Sequence, residues 1–151
     1  MPLAAGEKAI ALGPNCSDAY VVAGVFLSYA GDFRKCAEYE KQSQRLSPLS
    51  RNDSMVDEAR AKFQLGNHVL AARDIASRVL VERPHWLTAQ AILIASLWNL
   101  GSEDEARLTV KKMLADHPSL TASRWAQRLP YRHQTDLDAV VRPLRLAGMP
   151  E

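Results

Sequence analysis

The chain has 151 residues, 47% hydrophobic and 24% charged, which suits one soluble domain with enough apolar side chain for a core. Nineteen basic against 17 acidic residues leave a net charge of +2. That excludes the clustered basic excess of a nucleic-acid binder, and Lys111-Lys112 reads as a solvated helix face. No apolar run reaches the roughly 18 residues of a membrane span, and no basic-then-apolar start marks a signal peptide. The two cysteines, Cys16 and Cys36, make no disulfide framework and fit a reducing cytoplasm.

Residues 3–12 read as the second helix of a hairpin, with Ala9-Ile10 followed by Pro14. The absent partner would bare an apolar stripe, which predicts a fragment cut inside a repeat, prone to self-association. The other reading is a natural chain that starts on a capping helix. From Pro14 onward the punctuation is periodic. Pro14, Pro48, Pro84 and Pro118 stand 34, 36 and 34 residues apart. Within each interval a glycine marks a corner: Gly31, Gly66 and Gly101. Glycine takes the positive φ that ends one helix and begins the turn. Asp32, Asn67 and Ser102 are then expected to cap the following helix through a side-chain oxygen, with Ser102-x-x-Glu105 as a capping box. Cys36, Ala71 and Ala106, five residues after each glycine, are small enough for close helix crossing. Proline closes each hairpin because it cannot continue a helix. Glu58 and Lys62 fall where apolar residues belong and, four residues apart, could pair on the surface. Beyond Pro118, Leu120 to Leu129 reads as a helix with Trp125 on its apolar side, broken by Pro130-Tyr131. Thr135 is expected to cap a last helix, Asp136 to about Leu146, which Pro143 should kink or divide and Gly148 should end. These helices would cover the open end of the stack.

A 34-residue helix–turn–helix period is that of the tetratricopeptide repeat. Ala23-Gly24, Gly31-Asp32-Phe33, Cys36 and Pro48, and again Leu100-Gly101, Ala106 and Pro118, resemble that family over residues 1 to about 118. The resemblance implies an all-α fold, an α-α superhelix: a right-handed solenoid of antiparallel helix hairpins with C-terminal capping helices. Its parts would be a half repeat (1–14), repeats 15–48, 49–84 and 85–118, and capping helices with a tail (119–151). The aromatic usual early in each repeat is Tyr20, then Met55 and Gln90. The tail, Arg124-Trp125, Pro130-Tyr131-Arg132 and Leu144 to Glu151, resembles the end of bacterial class III adenylate/guanylate cyclases that carry such repeats after the catalytic domain. It implies a signalling parent protein. Winged-helix transcriptional regulators with similar repeats, or a stand-alone scaffold, are the alternatives.

The sequence offers no catalytic, cofactor or metal site. His68, His85, His117 and His133 are too far apart for a local metal pair. Cys36 reads as a buried core thiol. Asp57-Glu58 and Glu103-Asp104-Glu105 read as acids favoured by helix starts. Function is expected on the concave face, lined by the first helix of each hairpin. Those positions are Asp18, Val21, Val25, Ser28 and Tyr29; Asp53, Val56, Arg60, Phe63 and Gln64; and Thr88, Ala91, Ala95, Trp98 and Asn99. Tyr29, Phe63 and Trp98 are either anchors for a partner or packing between repeats, and Arg60 could meet a partner's acid. Repeats of this family that hold a C-terminal carboxylate use Lys and Asn where this chain has Val21 and Val25. The expected partner is therefore an apolar helix or extended peptide, another copy, or the parent's own catalytic domain, with no nucleic acid and no membrane.

Overall fold

The computed structural model describes residues 2–49 and 52–151. Among the described residues the regular structure is nine α-helices: α1 (Pro2–Leu12), α2 (Ser17–Ala30), α3 (Phe33–Leu46), α4 (Asn52–Gln64), α5 (Val69–Glu82), α6 (Leu87–Asn99), α7 (Glu103–Asp116), α8 (Ala122–Ala126) and α9 (Gln134–Leu146). Each helix from α1 to α7 packs on the next, and α2 touches α4 as α4 touches α6. The result is an all-α solenoid of antiparallel hairpins, α2–α3, α4–α5 and α6–α7, whose first helices share one face.

The punctuation works through backbone geometry. Gly31, Gly66 and Gly101 take φ of 93°, 72° and 81°, a region that costs a side chain energy. After Gly31 and Gly101 the chain turns by the same device: the Asp32 N–H donates to Leu27 O and the Ser102 N–H to Leu97 O, satisfying helix-end carbonyls. The residues before three of the prolines, Ser47, Arg83 and His117, all leave the helical region, at φ near −133° and ψ near 75° (−137/78, −130/71 and −133/71). A following proline ring excludes the helical conformation there.

Where an aromatic is expected, Tyr20 donates its hydroxyl to Pro14 O at 3.1 Å, and Gln90 donates its amide to Pro84 O at 2.9 Å. The amide thus replaces the phenol in tying the start of the repeat to the preceding proline. The middle repeat absorbs its two extra residues on either side of its glycine. Helix α5 starts three residues after Gly66, whereas α3 and α7 start two after theirs. One residue is about 100° of helix rotation. The small side chain buried at that crossing is therefore Ala72, at 0% exposure, and Ala71 is only partly buried.

Several local expectations are corrected. Of the three caps, only Asp32 forms, accepting the Lys35 N–H at 3.2 Å. His68 rather than Asn67 stands at the start of α5, and neither it nor Ser102 makes a side-chain cap bond, so the box with Glu105 is not built. The stretch 120–129 is helical only as α8, capped by Thr121, which accepts the Arg124 N–H. Helix α9 begins two residues before Asp136, so Thr135 lies inside its first turn. It continues past Pro143 to Leu146, where the Pro143 carbonyl still accepts the Ala147 N–H at 2.9 Å. Glu58 and Lys62 do pair, at 3.6 Å, but mostly buried, against α3: Gln44 donates to Glu58 at 2.8 Å.

The main core runs from α4 to the C-terminus. Trp125 of α8 and Val140, Val141 and Leu144 of α9 all enter it. A second, smaller core of Leu27, Cys36 and Ala61 joins α2, α3 and α4. Helix α9 lies along α6, and the segment before it runs back over the shared face to the end of α2.

Candidate functional site in the concave face

The face formed by α2, α4 and α6 is occupied by the chain itself. Residues 130–133, which join α8 to α9, form a strap over the C-terminal end of α2. The Arg132 N–H donates to Tyr29 O at 2.8 Å. The Tyr131 ring meets the Tyr29 ring edge-on, with centroids 5.0 Å apart and planes at 73°. Gly31 opens the space for the strap: a Cβ there would lie 2.9 Å from His133 Cδ2. One helix over, Gln64 donates to Asp136 O at 2.7 Å and fastens the start of α9. Burial pushes the Tyr131 phenol up to about 12, so its hydroxyl stays neutral.

Arg60 organises the floor. Its guanidinium lies 4.5 Å from the Tyr29 ring centroid, donates to Ser28 Oγ at 3.0 Å and pairs with Asp57 at 3.1 Å. The acid expected from a partner is therefore supplied by the preceding turn of its own helix, and Asp57 acts as a buried counter-ion rather than as an acid favouring the helix start. Beneath this layer Glu40 is fully buried, and neither carboxylate oxygen has a hydrogen-bond partner. Burial, then the charge of Asp57, pushes Glu40 up to about 9. Gly24 accommodates it: a Cβ at that position would stand 1.9 Å from Glu40 Oε1. Cys36 lies in the same interior with Sγ 3.8 Å from Asp57 O. Burial pushes its thiol up, the reverse of what activates a nucleophile.

The residues expected to line the groove do not form one surface. Tyr29, Arg60, Ser28 and Gln64 come together under the strap. Val56, Phe63, Ala91 and Ala95 are buried in the main core, so Phe63 is packing rather than a free anchor. Trp98 and Asn99 reach a separate shallow cleft of about 320 Å³ with Asp138, Ala139, Arg142, Pro143 and Leu146, and the Arg107 guanidinium, outside that lining, lies 5.3 Å from the Trp98 ring centroid. Val25 stands with Tyr29 in an apolar cleft of about 400 Å³ beside the strap, completed by Leu3, Phe26, Ala30, Pro130 and Arg132. Asp18 and Asp53 are exposed, and Asp53 pairs with Arg83 at 2.7 Å.

Sequence reading did not find Tyr131, Arg132 or Glu40. An aromatic after a proline in a loop is the available signal for Tyr131, but the sequence marks Pro130-Tyr131-Arg132 only as a helix break and as part of the tail resemblance, not as a groove contact. Nothing local marks Glu40, because its environment is made by Gly24 sixteen positions away. Among the described residues no group of three or more His, Cys, Asp or Glu side chains is placed to hold a metal ion, and no helix is long and apolar enough to cross a membrane. His85 instead pairs with Asp116 at 2.9 Å across the surface. In comparisons with known proteins, no family model matches the chain and no curated protein matches it.

Proposed function

We propose that this chain is a non-catalytic interaction module of the tetratricopeptide type, the C-terminal regulatory region of a bacterial adenylate cyclase-like signalling protein. The observation that carries the interaction reading is the strap. A non-helical segment, bent at Arg132 and His133, is seated on the concave face by a main-chain bond to Tyr29 O and by ring contact with Tyr29. Peptide recognition uses the same elements: main-chain bonds supply affinity and side-chain pockets supply selectivity. The ionisable groups nearby, Glu40, Asp57 and Arg60, are enclosed and line neither the Val25 cleft nor the Trp98 cleft. The repeat assignment is supported by the left-handed corner glycines and the matched pre-proline geometry.

The cyclase-like parentage rests on the sequence resemblance of the tail alone, and the residues that carry it have a structural role in this fold. Leu144, Ala147 and Met149 are buried, Gly148 takes φ of 106°, the Pro150 carbonyl accepts the Ala122 N–H at 2.7 Å, and Arg145 pairs with Glu151. The string is a closure that seats the C-terminus on α8.

Peptide-display selection on this chain tests the interaction reading. The expected result is binders that protect α2 and α4 amides from hydrogen exchange. Binders confined to the convex face, or none, would overturn it. The parentage is tested separately by the upstream gene, where a cyclase catalytic domain is expected. A winged-helix domain or a start codon directly before this region would replace it.

A further inference from the structure

We infer that the partner segment this module accepts is a short non-helical stretch with an aromatic ring followed by a residue whose N–H is free to donate, and that it binds by displacing residues 130–133. The inference deepens the proposed function and rests on the concave face being the binding surface. The strap is a seated example of the ligand. Its aromatic, Tyr131, rests edge-on against Tyr29, in the geometry aromatic pairs favour. The ring that receives it is preset, because Arg60 covers Tyr29 and is itself held by Asp57 and Ser28. The next residue contributes only its main-chain N–H, to Tyr29 O, so its side chain is unspecified. A partner residue after Arg132's equivalent must clear Gly31, which leaves room where any side chain would collide with His133.

The strap is separable from helix α9. Pro130, Arg132, His133, Gln134 and Thr135 are exposed or only partly buried, whereas Val140, Val141 and Leu144 are buried in the main core. Helix α9 is thus part of the fold, and the four residues before it can leave the face without opening the core. Displacement would also widen the apolar cleft of Leu3, Val25, Phe26, Tyr29 and Ala30, whose remaining wall is Pro130 and Arg132. That space would receive an apolar side chain just before the partner's aromatic, as Pro130 stands before Tyr131.

The test uses the full chain and a fluorescein-labelled decapeptide with the sequence of residues 127–136. Tyr131→Ala releases the ring, and Arg132→Pro independently removes the N–H donor. The expected result is that each variant, with unchanged circular dichroism, binds the decapeptide at least tenfold more tightly than the wild-type chain does. Replacing the tyrosine of the decapeptide by alanine, or adding Tyr29→Ala to the protein, should abolish the gain. Equal binding by wild type and both variants would show that strap and peptide do not compete, and a folded Tyr131→Ala chain that fails to bind would show that the face has no affinity for this chemistry. Either overturns the inference. So would a dimer whose copies exchange straps, seen by light scattering. If display-selected peptides bind the concave face while the decapeptide does not, the interaction reading stands and this one falls.

Discussion

The two ends of the solenoid are held together by different chemistry. From α4 to α9 the interior is a continuous apolar core of Ile, Val, Leu, Met and Trp side chains. Around α2, α3 and the inner side of α4 the apolar cluster shrinks to Leu27, Cys36 and Ala61, with Ala19 and Ala23 also buried, and the polar interior is Ser28, Glu40, Ser43, Ser54, Asp57, Glu58 and Arg60. Apolar packing is tolerant and gains with area. A buried ionic layer gains little net stability, but each member becomes indispensable once its partners depend on it. The polar end is also the end that holds the strap. Arg60 both satisfies Asp57 and presets Tyr29, so the layer that costs stability shapes the face on which the strap rests.

This contrast is broken most severely by Arg60→Ala. It leaves Asp57 buried without its counter-ion and Tyr29 without its cover, and removal of one member of a buried pair typically costs about 3–5 kcal/mol. Urea unfolding should show that loss, together with faster amide exchange at Arg132. A loss below about 1 kcal/mol would mean that the layer is solvated. In the apolar region Leu144→Ala, at a side chain with 0% exposure, is expected to cost about 3 kcal/mol through the cavity it leaves. It should leave exchange at Arg132 unchanged relative to the rest of the chain. If both substitutions loosen the strap equally, the two regions are one cooperative unit and the contrast fails.

Glu40 sharpens the comparison through pH. In the unfolded chain its carboxyl has its ordinary value of 4.5, and in the fold it rises to about 9. Over that window the folded state holds a proton the unfolded state has released. Stability is complete below the lower value and falls as pH rises towards the upper one, by at most about 1.4 kcal/mol per pH unit. Asp57, also raised by burial, adds in the same direction. Glu40→Gln should therefore reduce the decline of stability between pH 5 and pH 8 in denaturant titrations, with the greatest benefit at the alkaline end. An unaltered slope would mean that Glu40 ionises freely. Gly24→Ala should be destabilising in wild type and much less so with Glu40→Ala, because the three atoms nearest the added methyl all belong to the Glu40 side chain.

Most of the fold was legible because proline and glycine act locally. Pro48, Pro84 and Pro118 reshape the residue before them, and Gly31, Gly66 and Gly101 take conformations other residues avoid, whatever surrounds them. The site was half legible. Spacing alone put Tyr29, Arg60 and Gln64 on one face, since they follow from helix periodicity. It could not show that Phe63 is buried, that Arg60 already has Asp57, or that Tyr131 lies across the groove. The burial of Phe63 and the place of Tyr131 come from contacts between segments far apart in sequence, whereas Asp57 and Arg60 are three residues apart on α4 and only their enclosure depends on the rest of the fold.

The smallest expected effect separates the two regions at their helix starts. Asp32 and Ser102 occupy the same place in the pattern, each directly after a corner glycine. Only Asp32 accepts a first-turn N–H, from Lys35, whereas Ser102 makes no such bond and α7 carries Glu103, Asp104 and Glu105 in its first turn instead. Those three carboxylates already oppose the helix dipole, so a hydroxyl adds little. Asp32→Ala should lower stability by about 1 kcal/mol, and Ser102→Ala by no more than a few tenths. Equal losses in thermal melts at neutral pH would show that the Ser102 hydroxyl caps α7 in solution. They would also show that corner position rather than first-turn charge decides how these helices begin.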